Sequence, residues 1–167
     1  MATTKNLNDL LLRFMQDIYY AERQILKALP KMAKAATNPQ LVEAFIHHRE
    51  ETQGQIERLQ KAFEALGKRA RGITCEAING LIEEGEEVVE EFPEGSVRDA
   101  GLAACAQAVE HYEIARYGAL IAWAKTADQK EVVSLLEETL AEEKKADTLL
   151  NQLASKEINQ QALRQAA

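Results

Sequence analysis

Residues 106–120 read Ala-Gln-Ala-Val-Glu-His-Tyr-Glu-Ile-Ala-Arg-Tyr-Gly-Ala-Leu. Within them Ala106, Glu110, Glu113, Tyr117 and Leu120 recur at steps of four, three, four and three, the spacing of one face of an α-helix. An apolar stripe with two glutamates at its centre is anomalous, because a carboxylate taken out of water loses several kcal/mol of solvation even after relaxation. A single such acid on a helix face is ordinarily solvated or ion-paired at the edge.

The same interruption occurs on three further segments. Met15, Ile18, Glu22, Ile25 and Leu29 form one stripe, Ala44, His48, Glu51, Gln55 and Leu59 a second, and Leu136, Leu140, Glu143, Asp147 and Leu150 a third. Glu22 and Glu51 are 29 positions apart and Glu113 and Glu143 are 30 apart. Across two antiparallel hairpins with short links, those separations bring the paired acids to similar height. The coincidence on four segments argues against four independent surface acids.

Helices are predicted over about 7–35, 39–66, 74–92, 97–126 and 128–155. Asn38 is expected to cap the second, with Pro39 in its first turn, and Gly67 to end it. Pro93-Glu94-Gly95-Ser96 separates the short third helix from the fourth, with Ser96 as the expected cap, and Asp128 is expected to open the last. The final dozen residues, rich in Gln and Asn, are expected to fray. Short links join the first two and the last two long helices, and about thirty residues with their own helix connect the hairpins. This reads as one all-α domain over 1–167, a ferritin-like four-helix bundle of two antiparallel hairpins with a long crossover.

Composition agrees. The chain has 167 residues, 46% of them hydrophobic but only 5% aromatic, and just three prolines. Ala, Leu, Glu, Lys and Gln dominate, all strong helix formers. A net charge of -7 disfavours a nucleic-acid groove and an anionic membrane surface. No apolar run approaches the roughly 20 residues of a membrane span, and the first residues lack the apolar stretch of a secretion signal. The cytoplasm is the expected compartment. Cys75 and Cys105 are expected as buried reduced thiols, and without a CxxC pair a thiolate zinc site is disfavoured.

Acids gathered in a dry core need protons, basic partners or cations. Arg23, Arg49, Arg116, Lys144 and Lys145 are near enough in sequence to serve as partners. If cations serve instead, carboxylate oxygens favour hard ions such as Mg, Ca, Mn or iron. The expected metal ligands are Glu22, Glu51, Glu110, Glu113, Glu143 and Asp147, holding two divalent ions per chain, iron or manganese. His48, one turn before Glu51, is expected beside the site or in core packing rather than as a ligand, and His47 and His111 away from the centre. Tyr19, Tyr20, Tyr112 and Tyr117 are expected as packing residues with bonded hydroxyls. The acidic runs Glu83-Glu84, Glu86-Glu87 and Glu90-Glu91 read as solvated surface.

The segments Asp17–Gln24, Glu50–Arg58, Val109–Ala115 and Glu138–Lys144, with Ala77–Glu84 in the crossover, resemble the bacterial YciF/YciE family, and the likeness covers nearly the whole chain. The resemblance implies a ferritin-like bundle, usually dimeric, associated with stress responses, with no biochemical activity established. Within the wider superfamily, rubrerythrin is similar at Glu22, Glu51, Glu110, Glu113 and Glu143. The resemblance implies a histidine in the second helix, where Gln53 or Gln55 stands, and another in the fourth, where Asp147 stands. Loss of both imidazoles shifts the expectation toward an oxygen-rich site.

Two functions remain open at this level. One is a metal-binding stress protein that sequesters metal or consumes peroxide or oxygen. The other is a non-catalytic helical interaction module with a vestigial, metal-free site. A storage cage finds no sequence signal, and a homodimer is expected in part from the resemblance. No phosphate loop or nucleophile triad is evident.

Overall fold

The computed structural model describes residues 4–165. Among these the chain is helical without strands: α1 (Leu7–Ala35), α2 (Pro39–Ala65), α3 (Glu76–Glu91), α4 (Ser96–Thr126), α5 (Lys130–Leu153), a π-helical turn (Ala154–Ile158) and α6 (Asn159–Gln165). The long helices α1, α2, α5 and α4 pack in that cyclic order, and α3 lies across α1 and α4. Each long helix therefore buries its stripe against two neighbours, as a four-helix bundle requires.

Local chemistry sets the ends. Asn6 and Asp9 form a reciprocal capping box at α1. Asn38 Oδ1 accepts from the N–H groups of Gln40 and Leu41 at 3.0 and 3.1 Å, with Pro39 in the first turn, as expected. Gly67, at φ 64°, closes α2: Lys68 N–H reaches Phe63 C=O and Gly67 N–H reaches Glu64 C=O. Asp128, predicted to open the last helix, adopts φ 54° and ends α4 by the same pair of bonds, from Gln129 to Ala124 and from Asp128 to Lys125. Its short polar side chain tolerates the left-handed conformation that the turn needs.

Two further expectations are corrected. Ser96 does not cap α4; its N–H instead donates to Gln165 Oε1 at 2.7 Å. The expected fraying from residue 156 onward does not occur through Gln165, because α6 and the π turn pack on α4 and Ile158 is fully buried. The π turn inserts one residue into the helical period, which re-aims the chain past the end of α5. Residues 1–3 and 166–167, at the ends of the expected domain, lie outside the described residues.

The turn between α1 and α2 is tied to α4 by a buried carboxylate. Asp99 accepts from Thr37 N–H (2.8 Å), Thr37 Oγ1 (2.6 Å) and Asn38 N–H (2.8 Å). The acidic runs of α3 are exposed, while Ile78, Leu81, Ile82, Val88 and Val89 pack inward. Cys75 and Cys105 are buried and unpaired with each other.

Candidate metal centre

The stripe of α1 runs Leu11, Met15, Ile18, Glu22, Ile25 and Leu29, and every member is buried. That of α4 runs through Ala106, Glu110, Glu113, Tyr117 and Leu120, also all buried. The acids follow because they occupy positions that the hydrophobic residues above and below them commit to the interior. On α2 and α5 the buried line differs from the sequence expectation by one position. It passes His48, Thr52 and Gln55 on α2, leaving Glu51 half-buried, and Leu136, Thr139 and Glu143 on α5, leaving Asp147 at the edge.

Of the six expected ligands, Glu22, Glu110, Glu113 and Glu143 come together in the core, with exposures of 0%, 2%, 0% and 0%. Glu51 faces His47 Nε2 (3.3 Å) and His48 Nδ1 (3.4 Å) at the margin. Asp147 lies 3.1 Å from His111 Nε2, whose ring is exposed. His48 takes the place expected of Glu51: one donor atom each from His48, Glu110, Glu113 and Glu143 lie within 4.8 Å of one another. His48, expected beside the site or in core packing, instead stands among the donor atoms. Its position on the α2 stripe was the signal that placed it inward.

The surroundings separate the cluster from basic side chains. Among the described residues no arginine or lysine pairs with Glu22, Glu110, Glu113 or Glu143. Arg58 instead holds Glu138 and Glu142 and donates to Thr139 Oγ1 at 3.1 Å. Gln55 stands between, its amide donating both to Glu142 Oε2 (3.1 Å) and to Glu143 Oε1. Tyr117 donates its hydroxyl to Glu22 Oε1. His48 Nε2 approaches Glu110 Oε1 (3.2 Å) and Glu143 Oε2 (3.8 Å).

These contacts leave donor atoms unused. Glu22 Oε2, His48 Nε2, Gln55 Oε1, Glu110 Oε2, Glu143 Oε2 and both oxygens of Glu113 are buried without a hydrogen-bond partner. His48 Nε2 lies close to Glu110 Oε1 but outside hydrogen-bond alignment, so proximity and absence of a bond are both true of it. Buried polar atoms are nearly always satisfied; these seven are not, and four of the residues that carry them bring one donor atom each within 4.8 Å of one another, an arrangement that an ion would satisfy.

Electrostatics agrees. Burial, reinforced by the charge of Glu143, pushes the Glu22 carboxyl from 4.5 up to about 8, against the opposing Tyr117 bond. Burial, then the close approach and charge of the Glu143 carboxylate, holds Glu110 well above the usual carboxylate range. Burial, then the charges of Glu143, Glu22 and Glu110, does the same to Glu113. Burial would lower His48, but its bond to Glu51 and the charges of Glu143 and Glu22 outweigh that and raise it. Glu51 is lowered, chiefly by the His48 bond. Without a cation, Glu22, Glu110 and Glu113 favour their protonated forms; a divalent ion would displace those protons.

One wall of the centre opens on a chamber of about 660 Å³. Leu29, Phe45, Val109 and Leu150 line it, and His48, Glu51 and Glu110 stand in its wall. Lys31, Glu86, Glu90 and Lys145 also line it, so the chamber is largely apolar with charged groups of both signs in its lining.

The comparisons with known proteins come to the same fold. Protein YciF of Escherichia coli (strain K12) is 43% identical over 159 residues, covering 95% of this chain and 96% of that protein. The crystal structure of the E. coli stress protein YciF superposes with a TM-score of 0.89 over 93% of this chain and 99% of that one. YcfI from Rhodopseudomonas palustris is 51% identical with a TM-score of 0.87, covering 90% and 96% of the two chains. The resemblance to YciF seen in the sequence is thus confirmed along nearly the whole length. With residues 6–163 matching it, the chain belongs to the family described as Domain of unknown function (DUF892).

Proposed function

We propose that this protein binds two divalent cations, of the iron or manganese class, in the carboxylate centre of its bundle, and serves in stress defence. The observation that carries the reading is the set of buried carboxylate oxygens without partners, above all both oxygens of Glu113. Four buried carboxylates carry four negative charges when ionised, which two divalent ions balance and one does not. The donors are carboxylate oxygens with one imidazole, a set suited to manganese or iron rather than to soft ions. Glu22, His48, Glu110, Glu113 and Glu143 would hold the ions, and Gln55 and Tyr117 would orient Glu143 and Glu22.

A bound pair of such ions supplies redox capacity toward oxygen or peroxide. The chain's part is to exclude bulk water, keep Arg58 away from Glu143 through Gln55, and admit small neutral molecules through the largely apolar chamber. The relative's description as a stress protein supports the physiological half of the proposal. A homodimer in the cytoplasm completes it; no described helix is long and apolar enough to cross a membrane. Sizing chromatography checks the dimer.

A metal-free interaction module is the competing reading, favoured by Gln55, whose amide already satisfies one Glu143 oxygen, and by the raised carboxyls, which protons can neutralise. Elemental analysis of protein purified without chelator, then loaded with Mn(II) or Fe(II), decides between them. Two ions per chain, lost in Glu113→Ala/Glu143→Ala, are expected. Substoichiometric metal with an unaltered melting temperature would leave the interaction module.

A further inference from the structure

A second pocket, of about 680 Å³, lies on the far side of α1 from the chamber, where the loop joining α2 to α3 crosses that helix. Arg23 and Lys27, one helical turn apart on α1, form one wall; Arg69 and Arg71, on the loop, form the other. The loop is held against the helix by Ile73 N–H donating to Gln16 C=O at 3.2 Å. Gly72 makes the approach possible, since a Cβ there would stand 3.1 Å from Tyr20 Cβ and 3.3 Å from its Cα. Tyr20 is itself anchored by its hydroxyl to Asn79 Oδ1 (3.1 Å), and Arg23 lies over the Tyr19 ring at 5.8 Å.

Four cations thus share one concavity, and none of them forms an ion pair among the described residues. The contrast is with Lys31, Arg58 and Lys125, each held by a glutamate. In a chain of net charge -7 with 27 acidic residues, a gathering of cations without an acid among them is the reverse of what random pairing produces. Concentrated like charges in a concave surface repel one another and focus a field that attracts anions. Guanidinium forks match phosphate oxygens in pairs.

We propose that this pocket binds a small anion bearing two or more phosphate groups, such as an inorganic oligophosphate or a nucleoside polyphosphate. Cations on two facing walls suit more than one phosphate, and the volume exceeds what a single phosphate fills. A long polyanion is disfavoured because it would run onto the exposed acids of α3, which begins just beyond the loop. The site is independent of the metal centre and shares no residue with it.

The test is isothermal titration of the full-length protein, stripped of metal and dialysed free of chelator, with tripolyphosphate, ATP, inorganic phosphate, adenosine and a single-stranded RNA oligonucleotide. Saturable binding of one tripolyphosphate or ATP per chain is expected, weakening steeply with added salt, with phosphate far weaker and adenosine silent. Equal affinity for tripolyphosphate and ATP assigns recognition to the phosphates; tighter ATP adds the nucleoside. Arg69→Ala/Arg71→Ala should weaken either ligand about tenfold or more, as loss of charged hydrogen bonds requires. Lys27→Gln should weaken it less, and Lys125→Ala, at the paired site on α4, not at all. The proposal is overturned by no saturable binding of either ligand at millimolar concentration. It is equally overturned by indifference to the double substitution, or by tighter binding of a single-stranded RNA oligonucleotide than of both.

Discussion

His48 Nε2 on α2 lies 3.2 Å from Glu110 Oε1 on α4, in the interior and out of hydrogen-bond alignment. The imidazole is thus aimed at the point shared by the carboxylates rather than committed to any one of them. Its other nitrogen, Nδ1, faces Glu51 at 3.4 Å, which orients the ring from the margin. Replacing His48 by Ala is expected to weaken Mn(II) or Fe(II) binding by about 10- to 100-fold, the scale seen even for groups that only support a ligand. A competition titration against a chromophoric chelator reads this. Unchanged affinity would reduce His48 to packing.

Protonation gives the metal-free protein a definite pH response. Glu22 is raised from 4.5 to about 8, and Glu110, Glu113 and His48 are raised as well. A group raised in the folded state imposes no penalty below its unfolded pKa and destabilises as pH climbs through its folded value. The melting temperature of the stripped protein should therefore increase on acidification from about pH 8 toward 4.5. Glu51, lowered by His48, works the other way only below 4.5. Added metal should raise the melting temperature most at pH 8 and least near pH 5, where protons compete for the ligands. A flat profile in both states would contradict the buried cluster.

Glu113→Gln separates charge from shape. Glu113 is fully buried with both oxygens unpartnered, so Gln removes the cost of holding an acid in the core without opening a cavity. At pH 8 the stripped variant should be more stable than the parent by on the order of 1 kcal/mol. The same variant should lose most of the metal-induced rise in melting temperature. Glu50→Gln, at an exposed position, should change neither. Thermal scans with and without Mn(II) test all four values.

Asp99 is expected to matter for stability alone. It accepts three hydrogen bonds from Thr37 and Asn38, which fasten the α1–α2 turn to α4. Asp99→Ala leaves the buried Asn38 N–H and the more exposed Thr37 N–H without their acceptor and should cost about 2 kcal/mol in urea unfolding. Metal stoichiometry should be unaffected, because the residue is remote from the cluster along α4. A loss of metal in a still-folded variant would show that the turn also sets the site.

Much of the centre was legible in order. Glu22, Glu110 and Glu113 lie on stripes so clearly apolar above and below that each had to point inward once the bundle formed. Arg58 and Gln55 were not legible together. That the amide would screen Glu143 from the guanidinium depends on α2 and α5 meeting in this register, and nothing in either segment states it. The four-cation pocket was hidden for a similar reason: Arg69 and Arg71 are distant from Arg23 and Lys27 in the chain, and only the loop's crossing of α1 assembles them.

The sequence alone determined the four-helix architecture, the caps at Asn38 and Gly67, and the presence of acids at matched height, because periodicity and chain length leave few other ways to bury the stripes. The rotation of α2 and α5 about their own axes belonged to the tertiary structure. Neighbours three and four positions on lie about 60° to one side and 40° to the other of a given residue. On α2, then, Glu51 and Thr52 compete for the interior after His48, and on α5 Ala146 and Asp147 compete after Glu143. Local pattern cannot choose between such pairs; the choice follows from how each helix seats its large apolar residues against two partners at once. That seating turned Glu51 and Asp147 to the margin and put His48 among the acids.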